Sequence, residues 1–597
     1  MSQAPRWGFS LGPTSLPLLR HLLAAGLLER LALPPDGDHW QAGELATLLE
    51  QEWSRSRAFV AVGACGAITR LIAPLLGEKR DDPAVVVLDP AGRYAVPLLG
   101  GHQAGGEALA RAIAASLGGR AICTGASAQA GQLALDQFAI PWGWRRGNGP
   151  WDAVMKLAQR GEPIALVHQH GNPSWQELEG LQAVLNRPEA ANSAQVVVSV
   201  EEGPGCRWHP PALWLGIGCE RDTSLSLLER AVNEALAAGQ LATAAVAGLA
   251  SATRKADEPA LLALAEQHGW PLRCFSSAAL AAVAVPNPSA VVEAELGTAS
   301  VAEAASLLAA GSNSRLLQEK RITRPLGEER GAATIAIACA TQQWAPQRGQ
   351  LHLVGSGPGS LELLTPDARR ALVDSAVWVG YGLYLDLLEP LRRPDQLRRD
   401  GQLTQERERC REALELACQG ITVALVSSGE SGIYGMAGLA LEQWLELAED
   451  DRPAFSVHPG ITALQLAAAR AGAPLMHDFC TISLSDRLTP WAVIEQRLKA
   501  AAAGDFVVAL YNPRSRGRDW QLGRAQELLL AGRPASTPVV VARQLGRADE
   551  AVTLHTLGDL PLEQVDMLTL VLVGNSTTRM ESGRVVTPRG YRGAELA

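Results

Sequence analysis

The residues of this sequence best suited to chemistry lie at glycine- and proline-marked ends of apolar runs. In LHLVGSGPGSLELLTPDARRAL a strand enters a glycine turn, and a helix follows with Thr365 as N-cap, Pro366 at its first position and Asp367 in its first turn. No Lys-Ser or Lys-Thr follows, as a nucleotide loop requires, and Pro358 removes a backbone N–H beside Gly357, so a tight turn competes with a phosphate cradle. ITVALVSSGESGIYGMAGLALE then puts Gly429, Glu430, Ile433 and Tyr434 after a strand, and FSVHPGITALQL sets Thr462 at a helix N-cap beside Ala463. FVVALYNPRSRGR ends a strand at Tyr511 and Asn512, and MLTLVLVGNST ends one at Gly574. Open α/β sheets hold ligands at strand carboxyl ends, so several such ends point to a site. Far earlier, LLGGHQAGGEALARAI places His102 ahead of the Gly105-Gly106 entry to a helix. A helix N-terminus favours an anion by roughly 0.3–1 kcal/mol; His102 suits a carboxylate contact, general-base catalysis or a structural role. Arg514, Arg516 and Arg518 form a basic cluster that fits bidentate carboxylate contacts or a solvated loop. His477, Asp478, Ser485 and Asp486 are acid–base candidates, with a structural strand-edge role as the other reading.

A scaffold of several domains must position these residues. At roughly 150 residues per domain, the 597 residues allow about four. Hydrophobic residues at 47% and charged ones at 19% exclude wholesale disorder, collagen and coiled coil. Glycine, proline and charge concentrate at Ile140 to Pro150, Val200 to Pro211 and Ala340 to Gln350, giving expected domains 1–139, 140–211, 212–340 and 349–597, the last with lobes of about 349–455 and 456–597. Between these breaks, runs such as AFVAVGA, AVVVLD, LWLGIG and TIAIACA alternate with helical patterns, so parallel α/β sheets are expected. Expected helices include Ile68 to Leu76 and one capped by Thr489 with Pro490 at its first position. A formal charge of −9 leaves no global basic field for nucleic acid or anionic lipid. The uncharged stretches Ala235 to Thr253 and Cys274 to Val292 are alanine-rich or broken by proline, and read as parts of a soluble protein rather than membrane spans. MSQAPRWGFSLG does not resemble an export signal. Nine scattered cysteines with no C-x-x-C pair fit neither a disulfide framework nor a zinc site, no metal-ligand cluster is visible, and a reducing cytoplasm is the expected setting.

The blocks after Gly349, in this order, resemble the tetrapyrrole methyltransferase family, and within it the ring-contracting subgroup that methylates C17 of precorrin-3B or cobalt-factor III. The resemblance runs from about Gly349 to Ala597 and rests on VSSGxxGIYGMAGL, GAPLxHDFxxISLSDxLTPW and ALYNPRSxxR, while GSGPGSLELLT is shared more widely. It implies a two-lobed α/β fold, S-adenosylmethionine as methyl donor in the cleft, a porphyrin-like acceptor, and a homodimer through this half. By resemblance the donor is held by Pro358, Gly429, Glu430, Ile433, Tyr434, Thr462, Ala463, Tyr511, Asn512 and Gly574, and Gly357 faces the tetrapyrrole. Glu430-Ser431 stands where the family usually has Asp-Pro. In this reading His477, Asp478 and Asp486 are candidates for the acid–base step of ring contraction, and the arginine cluster for the macrocycle's carboxylates.

ITRLIAPLL, DDPAVVV, LLGGHQAGGEALA, LGIGCERDTS, LASATRKADEP with Lys255 and Glu258, GTASVAEAASLLAAG with Ser300 and Glu303, and then Lys320 resemble the cobalt-precorrin-5A hydrolase family. This covers most of the first 340 residues, least well Ala128 to Val200. It implies opening of a δ-lactone on the macrocycle, with His102 as base and the Gly105-Gly106 helix entry at the oxyanion. The family's LLSGHxGGAN appears here as LLGGHQAGGE, and Glu220 replaces a usual basic residue. The sequence therefore reads as a multidomain α/β, bifunctional enzyme of cobalamin synthesis. Two other readings stand beside it: an active methyltransferase with a non-catalytic macrocycle-binding N-terminal half, and a dinucleotide-dependent oxidoreductase built on GSGPG.

Overall fold

The computed structural model describes residues 4–12, 15–34, 40–41, 43–78, 81–101, 104–123, 133–182, 195–402, 404–515 and 517–590. His102 and Arg516 lie outside them. The β-branched runs Ala58–Val62 and Ala84–Leu88 are buried along their whole length, as strands covered on both faces must be. They centre a six-stranded sheet ordered Arg30–Leu31, Arg6–Ser10, Ala58–Val62, Ala84–Leu88, Tyr94–Leu99, Arg120–Ala121, with its cores on either side. The helix expected at Ile68 to Leu76 runs instead over Cys65–Ile72 and tightens into a 3-10 turn at Ala73–Leu75, because Pro74 has no N–H with which to continue it.

A four-stranded sheet (Arg145–Arg146, Cys206–His209, Gln195–Val198, Ala165–His168) and a five-stranded one (Leu272–Phe275, Val246–Ala252, Leu213–Cys219, Ala333–Cys339, Arg315–Thr323) follow. The uncharged stretches resolve into short helices, helix ends and strands, and no helix among the described residues is long and apolar enough to cross a membrane. The glycine- and proline-rich stretches at 140–150 and 340–350 are packed. Trp142 and Trp144 are buried in a core that continues into the Leu351, Ala417 and Ile421 region, and a Cβ on Gly143 would stand 2.3 Å from Gly420 O. Gln343, fully buried, accepts from Trp144 Nε1 (2.7 Å) and Asn172 N (3.1 Å) and donates to Trp142 O (3.2 Å) and Gln419 O (2.7 Å). Every hydrogen-bonding direction of its amide is used, tying three distant segments together.

The last two large sheets differ. Leu397–Gly401, Val377–Tyr381, Thr422–Ser427, Gln350–Gly355 and Ala454–His458 form an all-parallel sheet. In the other, ordered Phe479–Ser483, Val507–Tyr511, Thr569–Val573, Pro538–Arg543, Ala551–Thr556, only the first pair is parallel. The expectation of parallel pairing fails here because no crossover helix joins the last three strands, and short connections make antiparallel neighbours. Thr365 caps its helix by accepting from Ala368 N at 3.2 Å. Thr489 does not cap: the helix is Trp491–Ala503, and Pro490, at ψ 138°, stays outside it as N-cap.

Replacing Gln343 with Ala leaves buried donors and acceptors unpaired, at about 1–3 kcal/mol for each group stranded. The expected outcome is a lower calorimetric melting temperature for Gln343→Ala; an unchanged melting temperature would mean that the joint carries no load.

Candidate active site

Strands Thr422–Ser427, Gln350–Gly355 and Ala454–His458 lie side by side and parallel, so their carboxyl ends open onto one edge. There the backbone closes in. Gly357 N donates to Gly429 O at 3.1 Å and Gly429 N to Gly357 O at 2.8 Å, with φ of +72° and +66°. A Cβ on Gly460 would stand 2.0 Å from Gly429 O and 2.6 Å from Gly355 O, so position 460 admits only glycine. Pro358 lies in the same turn, which Gly546 meets from the other sheet: a Cβ on Gly546 would be 3.1 Å from the nitrogens of Gly359 and Ser360.

Glu430 fastens this junction. Its Oε2 accepts from Gly460 N at 2.7 Å and its Oε1 from Gly432 N at 3.1 Å. Ser431 is fully buried, and its hydroxyl has no partner among the described residues. Ile433 and Tyr434 are exposed, and Tyr434 sits at φ +54°, a conformation a tyrosine holds only when its surroundings impose it. Its ring lies 5.1 Å from that of Tyr511. Tyr511, whose phenol burial pushes up, accepts from Leu464 N at 3.3 Å, satisfying a free donor at the start of helix Ala463–Ala471. Thr462 and Gln465 complete a capping box there. Asn512, at φ +50°, donates to Ser483 Oγ at 3.1 Å.

Three sequence candidates fall elsewhere. Val507–Tyr511 runs antiparallel to Thr569–Val573, with Val508 opposite Val573, so Gly574 lies at the amino end of the Tyr511 strand. His477 and Asp478 precede Phe479–Ser483 and lie at that same amino end, both exposed. At about 3.3 Å per residue the five-residue strand separates all three from Tyr511 by roughly 15 Å. Asp486 does lie on the open edge, where its Oδ2 accepts from Gln521 Nε2 at 3.1 Å. Two members of the arginine cluster are already engaged. Arg514 donates to Leu562 O (2.8 Å) and Glu563 (3.0 Å), and Arg518, nearly buried, donates to Asn512 O (3.2 Å) and Ser515 Oγ (3.1 Å).

Sequence reasoning missed a polar chain behind Gly460. His458 Nδ1 lies 2.6 Å from Asp367 Oδ2, and its Nε2 lies 3.0 Å from His352 Nδ1, while Thr365 Oγ1 donates to Pro459 O at 2.9 Å. Only the histidine before Pro459-Gly460 hinted at it. Burial pushes His352 down to about 4, and its Nε2 is buried without a partner among the described residues.

In the first sheet, Gly106 N donates to Gly100 O (3.1 Å) and Glu107 N to Gly101 O (2.9 Å), so the first donors of helix Gly106–Leu117 are used within their own loop, Gly105 holding φ +76°. Glu258 and Glu303 are fully buried. Glu258 accepts from Lys255 Nζ (2.9 Å) and Asp222 N (3.0 Å), and Glu303 from Asn287 Nδ2 (2.8 Å) and Lys320 N (3.0 Å).

Residues 350–561 match the Tetrapyrrole (Corrin/Porphyrin) Methylases, 213–338 the Cobalamin synthesis G C-terminus and 47–128 the Cobalamin synthesis G N-terminal family. Over 243 residues the chain is 50% identical to the probable cobalt-factor III C(17)-methyltransferase of Salmonella typhimurium, covering 40% of this chain and 99% of that protein. It is 44% identical over 257 residues to the precorrin-3B C(17)-methyltransferase of a Sinorhizobium species, covering 41% and 98%. The crystal structure of the methyltransferase CobJ is similar at 39% identity and TM-score 0.39, covering 40% of this chain and 100% of that one.

The His352 shift carries a pH dependence. Between about pH 6.5 and 4 the unfolded chain binds more protons there than the folded one, so stability falls as pH drops through that window. Melting temperatures between pH 7 and 4.5 should fall less steeply in His352→Gln than in the parent; parallel profiles would contradict the assignment.

Proposed function

Because the chain belongs, through residues 350–561, to the tetrapyrrole methylase family and carries both cobalamin-synthesis-G regions ahead of it, we propose that it is a bifunctional enzyme of cobalamin synthesis. Its C-terminal half methylates C17 of cobalt-factor III or precorrin-3B from S-adenosylmethionine with ring contraction, and its N-terminal half opens the lactone of cobalt-precorrin-5A. The units acting this way are 1–139, 140–211, 212–340 and 349–597.

The observation that carries the donor assignment is the close backbone junction at Gly429, where a Cβ on Gly355 or Gly460 would stand 2.6 Å or 2.0 Å from its nearest backbone atom and Gly429 itself holds φ +66°. Its turn holds Pro358 and no lysine, which suits a donor without phosphate, and the Ser431 hydroxyl, without a partner among the described residues, offers a polar contact in the adjoining loop. When bound, the donor supplies an electrophilic methyl on a sulfonium. The backbone at Gly429, Thr462 and Ala463 and the rings of Tyr434 and Tyr511 orient it, and Gly357 lies toward the acceptor. Alignment of this kind is worth about 7–11 kcal/mol of a barrier, and the methyl step needs no strong base. For ring contraction Asp486 is the candidate retained, since it stands on the open edge. The oxidoreductase reading has no comparable support. Exposed Val457 and Phe479, on the edge strands of the two sheets, suit a homodimer contact through this half.

One observation favours the second reading of the N-terminal half, a macrocycle-binding module without catalysis: the internal use of the Gly106 and Glu107 N–H groups leaves fewer donors for an oxyanion. Substituting His102→Ala separates the two, since lost lactone opening with retained binding supports catalysis and unchanged turnover removes His102 from it.

Incubated with cobalt-factor III and methyl-labelled S-adenosylmethionine, the purified protein should yield a ring-contracted product carrying one labelled methyl. Donor binding with no label on any tetrapyrrole would sink the proposal.

A further inference from the structure

We infer that Arg547, outside the arginine cluster read from the sequence, is the residue that grips a peripheral carboxylate of the tetrapyrrole and so sets the acceptor's position. This rests on the methyltransferase reading above. Arg547 follows strand Pro538–Arg543, whose carboxyl end lies on the same edge as Tyr511, because both strands run antiparallel to Thr569–Val573. Its loop is fixed: Gly546 N donates to Glu550 at 2.6 Å, Arg470 holds the other oxygen of Glu550 at 2.6 Å, and Arg547 N donates to Gln544 O at 3.0 Å.

From that loop the side chain crosses to the other sheet. Its Cγ lies so close to Gly359 that a Cβ there would be 2.8 Å away. Beyond it stand Tyr381 and Tyr384, at the carboxyl end of Val377–Tyr381, with ring centroids 5.2 Å apart. Burial pushes the Tyr384 phenol up, and the positive field of Arg547 opposes it. The residue is half-buried, yet among the described residues its guanidinium makes no hydrogen bond and no ion pair, whereas Arg409, Arg514 and Arg518 all do. A guanidinium with no protein partner among the described residues keeps its donors free for a ligand's anion, and the planar fork of arginine matches a carboxylate.

The spacing suits the reaction. Gly357 bonds to Gly429 on the donor side of the turn, and Gly359, two residues on, touches Arg547. At no more than about 3.3–3.6 Å per residue the two sides are at most roughly 7 Å apart, so a macrocycle held by an acidic side arm brings a ring carbon toward the donor.

The test compares the parent, Arg547→Gln and Arg547→Lys in the full chain, titrated separately with cobalt-factor III, followed by its absorbance, and with S-adenosylhomocysteine. Arg547→Gln should weaken tetrapyrrole binding about ten- to a hundredfold, since hydrogen bonds to charged groups are worth about that, and leave the S-adenosylhomocysteine affinity within twofold. Arg547→Lys should fall between, and the salt dependence of tetrapyrrole binding should flatten only in the Gln variant. Tetrapyrrole affinity unchanged in Arg547→Gln, or an equal loss for both ligands, would overturn the inference, the latter making Arg547 a brace for the Gly359 turn. If Arg547→Gln does not fold, parent-like tetrapyrrole affinity in Arg547→Lys overturns it and a selective loss supports it. A parent that binds cobalt-factor III but never methylates it overturns the functional reading instead, because this comparison is made on equilibrium binding.

Discussion

The contact of Gly460 with the carbonyls of Gly429 and Gly355 is the constraint from which the candidate site follows. It requires three parallel strands to end in register, and their ladder delivers that: Leu353 pairs with Leu425 on one side and Val457 on the other. With no room for a side chain, the junction is lined by backbone, and side chains act from its rim. Glu430 closes it from the front and the Asp367, His458 and His352 chain supports it from behind. Glutamate, where the family usually has aspartate, has a physical consequence here, since one carboxylate reaches both Gly432 N and Gly460 N.

The second sheet serves the junction differently. Tyr511 ties its own strand end to helix Ala463–Ala471, and Gly546 presses the Gly357–Gly359 turn toward the first sheet. Farther away, helix Pro366–Asp374, which supplies Thr365 and Asp367 to the loop before Gly460, packs on helix Gly106–Leu117 of the first six-stranded sheet. Gln343 and the Trp142-Gly143 turn join the central sheets to the methylase half through buried hydrogen bonds and a continuous core. The two halves therefore meet through packed surfaces.

What the sequence made legible was local. The caps at Thr365 and Thr462 depend on a few consecutive residues, and both form as read. The buried strands Ala58–Val62 and Thr422–Ser427 follow from unbroken apolar runs. The α/β class follows from the alternation of such runs with helices. What it hid was set by strand direction and long-range pairing. Gly574 has the same local form as Gly429, but its strand runs the other way. His477 looked adjacent to a site because its strand leads there, yet it stands at the wrong end. Pro490 shifted a helix start by one residue through its ψ alone. Gln343 gave no signal, since its partners lie up to 201 residues away.

The most direct test of the glycine junction as the donor site is calorimetric titration of S-adenosylhomocysteine into the parent and Gly460→Ala, with circular dichroism to establish that both are folded. The expected result is binding at one site per chain in the parent and none in the folded variant, because the added methyl would drive apart the turns that form the cradle. Equal affinity in the two proteins would contradict the account and place the donor elsewhere.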